Sequence, residues 1–341
     1  MTYAERHAGM VEAMNLRVWM GGLRPKTLPA SIAPVLVGAA VAYRHINELN
    51  ICTLVYPTPP QCVARGVLYS ALLSRFWPVF ILCLAVTLLL QIAVNLANDY
   101  SDGVRGTDEG RDADESDSGR NGRDAKPRRL VASGVPPKQV LCAAGVAAGL
   151  ACVAGLVAVV LSQAWWLLAV GALSVAAGWF YTGGRHPYGY AGFGEVAVFL
   201  FFGLAAVLGT EYALAGAVDG LGVAAAVCCG LNAVMLLMVN NLRDIDGDRI
   251  HGKRTLAVRL GERRASVLLA VCCIIAWVIG SFICMMLWMP WGAVVLISGV
   301  AVPIRMVSSA FRHQFRTALN DAGFQTLLFA VVVVVSVAVS F

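Results

Sequence analysis

Two stretches of the chain gather Asn and Asp at spacings that bring oxygen donors together. The first, QIAVNLANDYSDGVRGTD at 91–108, sets Asn95, Asp99 and Asp102 at i, i+4 and i+7, one face of a helix. Asn98 also precedes Asp102 by one helical turn. Three carboxylates this close, Asp99, Asp102 and Asp108, repel one another unless a cation lies between them. The second stretch, VNNLRDIDGDRIHGKRTLAVRLG at 239–261, places Asn240 and Asn241 ahead of Asp244 and Asp248, again one turn apart. Each cluster ends an apolar run. Two such clusters point to Mg²⁺ shared with a phosphate ligand, since Mg²⁺ takes a few carboxylates plus phosphate oxygens rather than a closed protein cage. An EF-hand reading of DIDGD fails, because Arg249 stands at its Gly position and Thr255 at its closing Glu position. His186, His251 and His313 have no metal-ligand spacing.

The elements that position these clusters are set by composition. Of 341 residues, 59% are hydrophobic and 13% charged, against about 25% charged in a soluble domain. The expected class is an all-α polytopic membrane protein. Nine transmembrane helices are expected near 27–43, 77–97, 140–161, 164–181, 196–210, 222–239, 265–288, 290–311 and 324–341. Residues 1–15 are expected as a mobile polar tail and 16–341 as a single transmembrane domain. An extended external loop, with room for a short helix, is expected at 44–76, and Asp-rich cytoplasmic active-site loops at 98–138 and 241–264. Residues 106–126 are too polar to build a core of their own. Arg44, Arg65 and Arg75 fall on one side of these spans, and the rest of the 26 Lys and Arg on the other. That asymmetry places the N-terminus and both Asp clusters in the cytoplasm, with the plasma membrane as the location. It also accounts for the net charge of +6 without nucleic acid. Four spans separate the two clusters, so both emerge on one face. The chain then reads as two four-helix halves plus a ninth helix around a cytoplasm-facing central cavity.

Eight of the ten cysteines fall in the expected spans as small packing residues. Cys52 and Cys62 share the external loop, in a compartment that permits oxidation. A disulfide and two free thiols both stay open for that pair. A secondary transporter also uses intramembrane carboxylates to bind coupling cations. The middles of these spans are almost free of charge, however, and the carboxylates collect at one end, as in a one-sided pocket.

Five segments carry a family resemblance: RPKTLPASIAPVLVG at 24–38, NDYSDGVRGTD at 98–108, RLVASG at 129–134, YTGGRHPYGYAGFGEVAVFLFFG at 181–203 and NNLRDIDGDRIHGKRTLAVRLG at 240–261. In these the chain resembles the UbiA-type intramembrane aromatic prenyltransferases. Five residues separate Asp102 from Asp108, where the family's usual NDxxDxxxD has three, and the longer spacing resembles its naphthoate branch. The resemblance implies Mg²⁺-dependent transfer of a polyprenyl group from polyprenyl diphosphate to 1,4-dihydroxy-2-naphthoate, with loss of CO₂, in menaquinone biosynthesis. Another aromatic acceptor, such as 4-hydroxybenzoate, is the alternative. On this reading Asp99 or Asp102, with Asp108, holds one ion, and Asp244 with Asp248 holds the other. Asn98 and Asn241 add neutral oxygens or orient carboxylates. Lys26, Arg128, Arg129 and Lys253 are candidates for phosphate contacts, although Arg128 and Arg129 also suit plain positive-inside anchors. Tyr181 is placed to face an allylic cation, or else is an interfacial aromatic. Tyr181 with Arg185 resembles the family's YxxxK pattern, which makes Arg185 the candidate for the acceptor carboxylate.

Overall fold

A backbone in hydrocarbon must pair its polar groups within the segment, and helices do so locally. The computed structural model describes residues 16–51, 60–106, 129–287, 294 and 299–340, and the regular structure among them is entirely helical. The polar tail, Cys52, Asp108 and Arg128 lie outside the described residues, as does the side chain of Lys26.

The chain enters through α1 (Leu16–Gly22) and a 3₁₀ turn (Pro25–Thr27), followed by α2 (Pro29–Ile51). Then come α3 (Pro60–Val104), α4 (Pro137–Ser162) and α5 (Leu167–Thr182). A 3₁₀ turn (Tyr188–Ala191) leads to α6 (Gly194–Ala215) and α7 (Gly220–Arg243). Two short helices follow, α8 (Ile245–Ile250) and α9 (Leu256–Leu260), and then α10 (Glu262–Leu287), α11 (Ala301–Phe311) and α12 (Phe315–Ser340). Among the described residues six helices are long and apolar enough to cross a membrane: α3, α4, α6, α7, α10 and α12. The shorter α5 and α11 are apolar as well.

One expectation changes here. The segment 44–76, read as an extended loop, is helical where described: α2 continues to Ile51, and α3 begins at Pro60. The 45 residues of α3 give a rod of roughly 68 Å, more than twice the hydrocarbon thickness of about 30 Å. Pro60 opens it at a position that needs no N–H donor, and Val63, Val67, Leu68 and Leu72 sustain a helical apolar repeat. The prolines at 57, 59 and 60 suggest a loop, but that signal applies only upstream of the helix start.

Burial is inverted relative to a water-soluble bundle. In α4 the residues turned inward are small, Ala144, Ala147, Ala151 and Ala158, whereas Val146, Leu150, Val153 and Leu156 are exposed. Small residues let helices approach closely, and large apolar ones meet lipid at no cost. The helix α7 is the hub: 72% of its apolar window is buried, against 28–50% in the other five candidate spans. Its largest core cluster unites Val37 and Val41 of α2, Met235 and Met238 of α7, Leu269 of α10, Met306 of α11 and Val333 of α12. A π-helical turn at Phe199–Ala205 presses α6 onto α7. There a Cβ on Gly203 would lie 2.5 Å from the Cα of Gly230, so neither helix tolerates bulk at the crossing. The inner ends of α3 and α7 thus meet the same interior space.

Candidate functional site

A cavity of about 1470 Å³ opens between α2, α3, α5, α6 and α7. Its polar end carries Arg24, Asn98, Asp99, Asp102, Arg129, Tyr190, Asn241, Asp244, Asp248 and Lys253. Both Asn/Asp clusters therefore reach one place. Beyond them the lining turns apolar, with Val86, Leu90 and Val94 of α3, Leu156 of α4, Val175 of α5 and Phe201 of α6.

The last turns of α3 divide into two faces. On one, Gln91, Asn95 and Asp99 form an i, i+4, i+8 ladder. Gln91 Nε2 donates to Asn95 Oδ1 at 3.1 Å, and Asn95 Nδ2 donates to the Leu23 carbonyl at 3.1 Å and to Thr27 Oγ1 at 3.3 Å. Asp99, 1% exposed, accepts from Arg24 Nη2 at 2.6 Å and from the Leu130 backbone N–H at 3.1 Å. This ladder fastens the turn that carries Arg24, whose backbone is left-handed at φ 49°. That conformation is uncommon for a residue with a Cβ, and the side-chain bonds on both sides hold it.

On the other face, Asn98 accepts from Thr182 Oγ1 at 2.7 Å, tying α3 to the end of α5. Among the described residues Asp102 accepts from Arg129 Nη1, the Tyr190 hydroxyl, and Lys253 Nζ at 3.1 Å. Lys253 also lies 4.6 Å from the centroid of the Tyr190 ring, a cation–π contact. Burial, with the Asp102 carboxylate beside it, raises the Tyr190 hydroxyl above the ordinary tyrosine pKa, so it stays a donor.

The second cluster sits where α7 ends. Arg243 holds the Asp244 carboxylate with both Nε and Nη2, at 3.0 and 3.1 Å. The Asp248 N–H donates to the Asp244 carbonyl at 2.8 Å, and the Lys253 N–H donates to the Asp248 carbonyl at 2.8 Å. Lys253 thus links the two clusters, its backbone in the second and its ammonium in the first. Asn241 Nδ2 donates to Glu195 Oε1 at 2.9 Å, which leaves the amide oxygen as the atom available to a cation.

Tyr181 lies on the wall of the cavity, edge-on to Tyr188 at 5.6 Å between centroids. Burial pushes the Tyr188 hydroxyl up to about 12, and it donates to the Ala177 carbonyl at 2.8 Å. Gly189 is needed here, since a Cβ would come within 2.6 Å of the Tyr181 carbonyl oxygen. Arg185 is placed otherwise than its spacing from Tyr181 suggests: it is exposed and is not among the residues lining the cavity. The reason is the turn after α5. Arg105 donates to the carbonyls of Thr182, at 2.6 Å, and Gly184, at 2.5 Å, and Gly184 at φ 76° swings the next residue outward.

Arg24, Arg105, Tyr190, Glu195 and Arg243 join the site without having been singled out by spacing. All five lie in the quoted motif segments, at 24–38, 98–108, 181–203 and 240–261, and their only sequence signal is that position. The oxygen donors present, Asp102, Asp244, Asp248 and the amides of Asn98 and Asn241, are hard ligands that fit Mg²⁺. Among the described residues no group of three His, Cys, Asp or Glu is placed to hold a metal by itself, so ligand oxygens would have to complete the shell. Asp99 fits least, because one of its partners is a backbone N–H that cannot swing away. The donors to Asp102 named above are the ends of side chains.

Residues 60–337 match the UbiA prenyltransferase family. A Mycobacterium tuberculosis protein named 1,4-dihydroxy-2-naphthoate octaprenyltransferase is 41% identical over 326 residues, covering 92% of this chain and 94% of its own length. A protein of the same name from Escherichia coli is 36% identical over 257 residues, covering 73% and 70%. Among solved structures, the apo UbiA homolog from Aeropyrum pernix K1 superposes with a TM-score of 0.59 at 16% identity, covering 92% of this chain and 97% of its own. A UbiA homolog from Archaeoglobus fulgidus, bound to DMAPP and Mg²⁺, gives 0.56 at 14% identity, covering 94% and 99%.

Proposed function

The chain belongs to the UbiA prenyltransferase family, and we propose that it transfers a polyprenyl group from polyprenyl diphosphate to 1,4-dihydroxy-2-naphthoate, releasing the carboxylate as CO₂. The observation that carries this reading is the cavity itself: one end gathers carboxylates, amides and cations, and the rest is apolar. A diphosphate with a long hydrocarbon tail has that polarity profile. The names of the relatives supply the acceptor.

In this reading the chain spans the plasma membrane nine times, with the N-terminus and the polar end of the cavity cytoplasmic. Asp102 and Asp108 would hold one Mg²⁺, and Asp244 and Asp248 the other, with Asn98 and Asn241 adding amide oxygens. Bound Mg²⁺ neutralises charge on the departing pyrophosphate and so favours its loss. With those carboxylates engaged by metal, Arg129, Lys253 and Arg243 would be available to phosphate oxygens, beside Arg24, which lines the same end of the cavity. Lys26 and Arg128 are further phosphate contacts in this scheme. The allylic C–O bond breaks with its electron pair on the pyrophosphate. Tyr181 faces the resulting cation from the wall, and the apolar lining keeps water from trapping it. Ring electrons form the new C–C bond, and the ring recovers a pair as CO₂ leaves.

The test uses purified protein, Mg²⁺, a polyprenyl diphosphate and a panel of aromatic acids, with the naphthoate labelled at its carboxylate. Prenylated product should form with one label released as CO₂ per transfer. Product that keeps the label, or a preference for 4-hydroxybenzoate, overturns the acceptor assignment.

A further inference from the structure

We propose that Arg316, with Phe315 and His313 beside it, binds the carboxylate of the aromatic acceptor. The inference rests on the acceptor being an aromatic acid, as under the proposed function.

The lining cations differ in what already holds them. Among the described residues, Arg24 is paired with Asp99, Arg129 and Lys253 with Asp102, and Arg243 with Asp244. Arg316 lines the same cavity, and no carboxylate among the described residues meets it. A cation engaged by an aspartate at the metal end is committed to the diphosphate and its ions. A guanidinium with no such engagement is available to a second anion, and its planar fork matches a carboxylate bidentately.

The neighbours of Arg316 suit an aromatic ring. It opens α12, which packs against the Pro25–Thr27 turn, α2 and α7. Phe315, His313 and Leu319 from the same segment line the cavity with it. The His313 and Phe315 rings meet edge to face at 5.9 Å between centroids, and such a pair leaves a face for a third ring. His313 is held there by two constraints. Its backbone is left-handed at φ 58°, and its Nδ1 sits 3.1 Å from Glu262 Oε1 at the start of α10. A carboxylate on Arg316 and a fused ring against Phe315 would place the acceptor on the wall that α12 lends to the cavity.

The experiment is steady-state kinetics on the purified full-length enzyme with Mg²⁺ and polyprenyl diphosphate. It compares 1,4-dihydroxy-2-naphthoate with 1,4-dihydroxynaphthalene, the same ring without the carboxylate. Arg316→Gln should raise the naphthoate KM on the order of ten- to a hundredfold, the value of a charge-assisted carboxylate bond. The KM for polyprenyl diphosphate and the rate with 1,4-dihydroxynaphthalene should not move. Arg316→Lys should recover part of the loss, since it keeps the charge but not the fork. An unchanged naphthoate KM overturns the proposal. So does a parallel rise in the diphosphate KM, or an equal loss with the carboxylate-free ring. If the wild-type enzyme uses 4-hydroxybenzoate and not the naphthoate, the acceptor reading fails by itself, and the same criterion is applied to Arg316 with 4-hydroxybenzoate.

Discussion

Asp99 and Asp102 are three residues apart on one helix, yet they should fail differently when neutralised. Asp99→Asn removes the charge that faces Arg24 but keeps an oxygen for the Leu130 N–H. Removing one partner of a buried pair costs about 3–5 kcal/mol when the other charge stays buried. Arg24 is 26% exposed, so water relieves part of that cost, and about 2 kcal/mol is expected. Asp99→Ala also orphans the Leu130 N–H, which adds about 1–3 kcal/mol. Thermal unfolding in detergent should therefore rank wild type above Asn and Asn above Ala. With its anchor lost, Arg24 should bind polyprenyl diphosphate less well, raising that KM. The Mg²⁺ concentration for half-maximal rate should stay at the wild-type value, because Asp99 is engaged by Arg24 and the Leu130 N–H. If Asp99→Asn left unfolding unchanged while that Mg²⁺ requirement rose tenfold or more, the assignment would be refuted and Asp99 would be a ligand.

Asp244→Ala or Asp248→Asn should lower kcat/KM by several kcal/mol of transition-state stabilisation, roughly 10²–10⁴-fold, with a raised Mg²⁺ requirement, and EDTA should abolish turnover. An Asp244→Ala enzyme with near-normal turnover would sink the shared-metal arrangement. Tyr190→Phe keeps the ring beneath Lys253 but removes a donor from Asp102, and should cost about 1–2 kcal/mol in kcat/KM with little change in fold. An unaltered rate would show that the hydroxyl is dispensable. Cys62 is disulfide-bonded, while the eight cysteines of the spans are free thiols. Thiol reagents applied outside intact cells should label Cys62 and Cys52 only after reduction, and ready labelling without reductant would count against a bridge.

Much of this protein is written locally. Composition alone places it in a membrane, because a chain with 13% charged residues and long apolar runs has no aqueous fold to adopt. The two Asn/Asp clusters are equally local, since donors one helical turn apart must share a face wherever the helix goes. The all-helical fold and the family follow from the same patterns. What a helix face touches is another matter, because it depends on which distant segment packs there. Asn95 and Asp99 read as oxygen donors in one dimension, and only the fold shows that, with Gln91, they bind the Leu23–Thr27 turn and Arg24. Arg185 has the spacing of a substrate contact from Tyr181, but Arg105, in the loop after α3, bends the turn and leaves it outside. Lys253 reaches Asp102 across 151 residues of sequence, and Arg316 enters the same cavity from α12. Lys253 is marked by its motif and held locally by the Asp248 carbonyl, but the carboxylate it meets, and the entry of Arg316, depend on how the helices pack around α7.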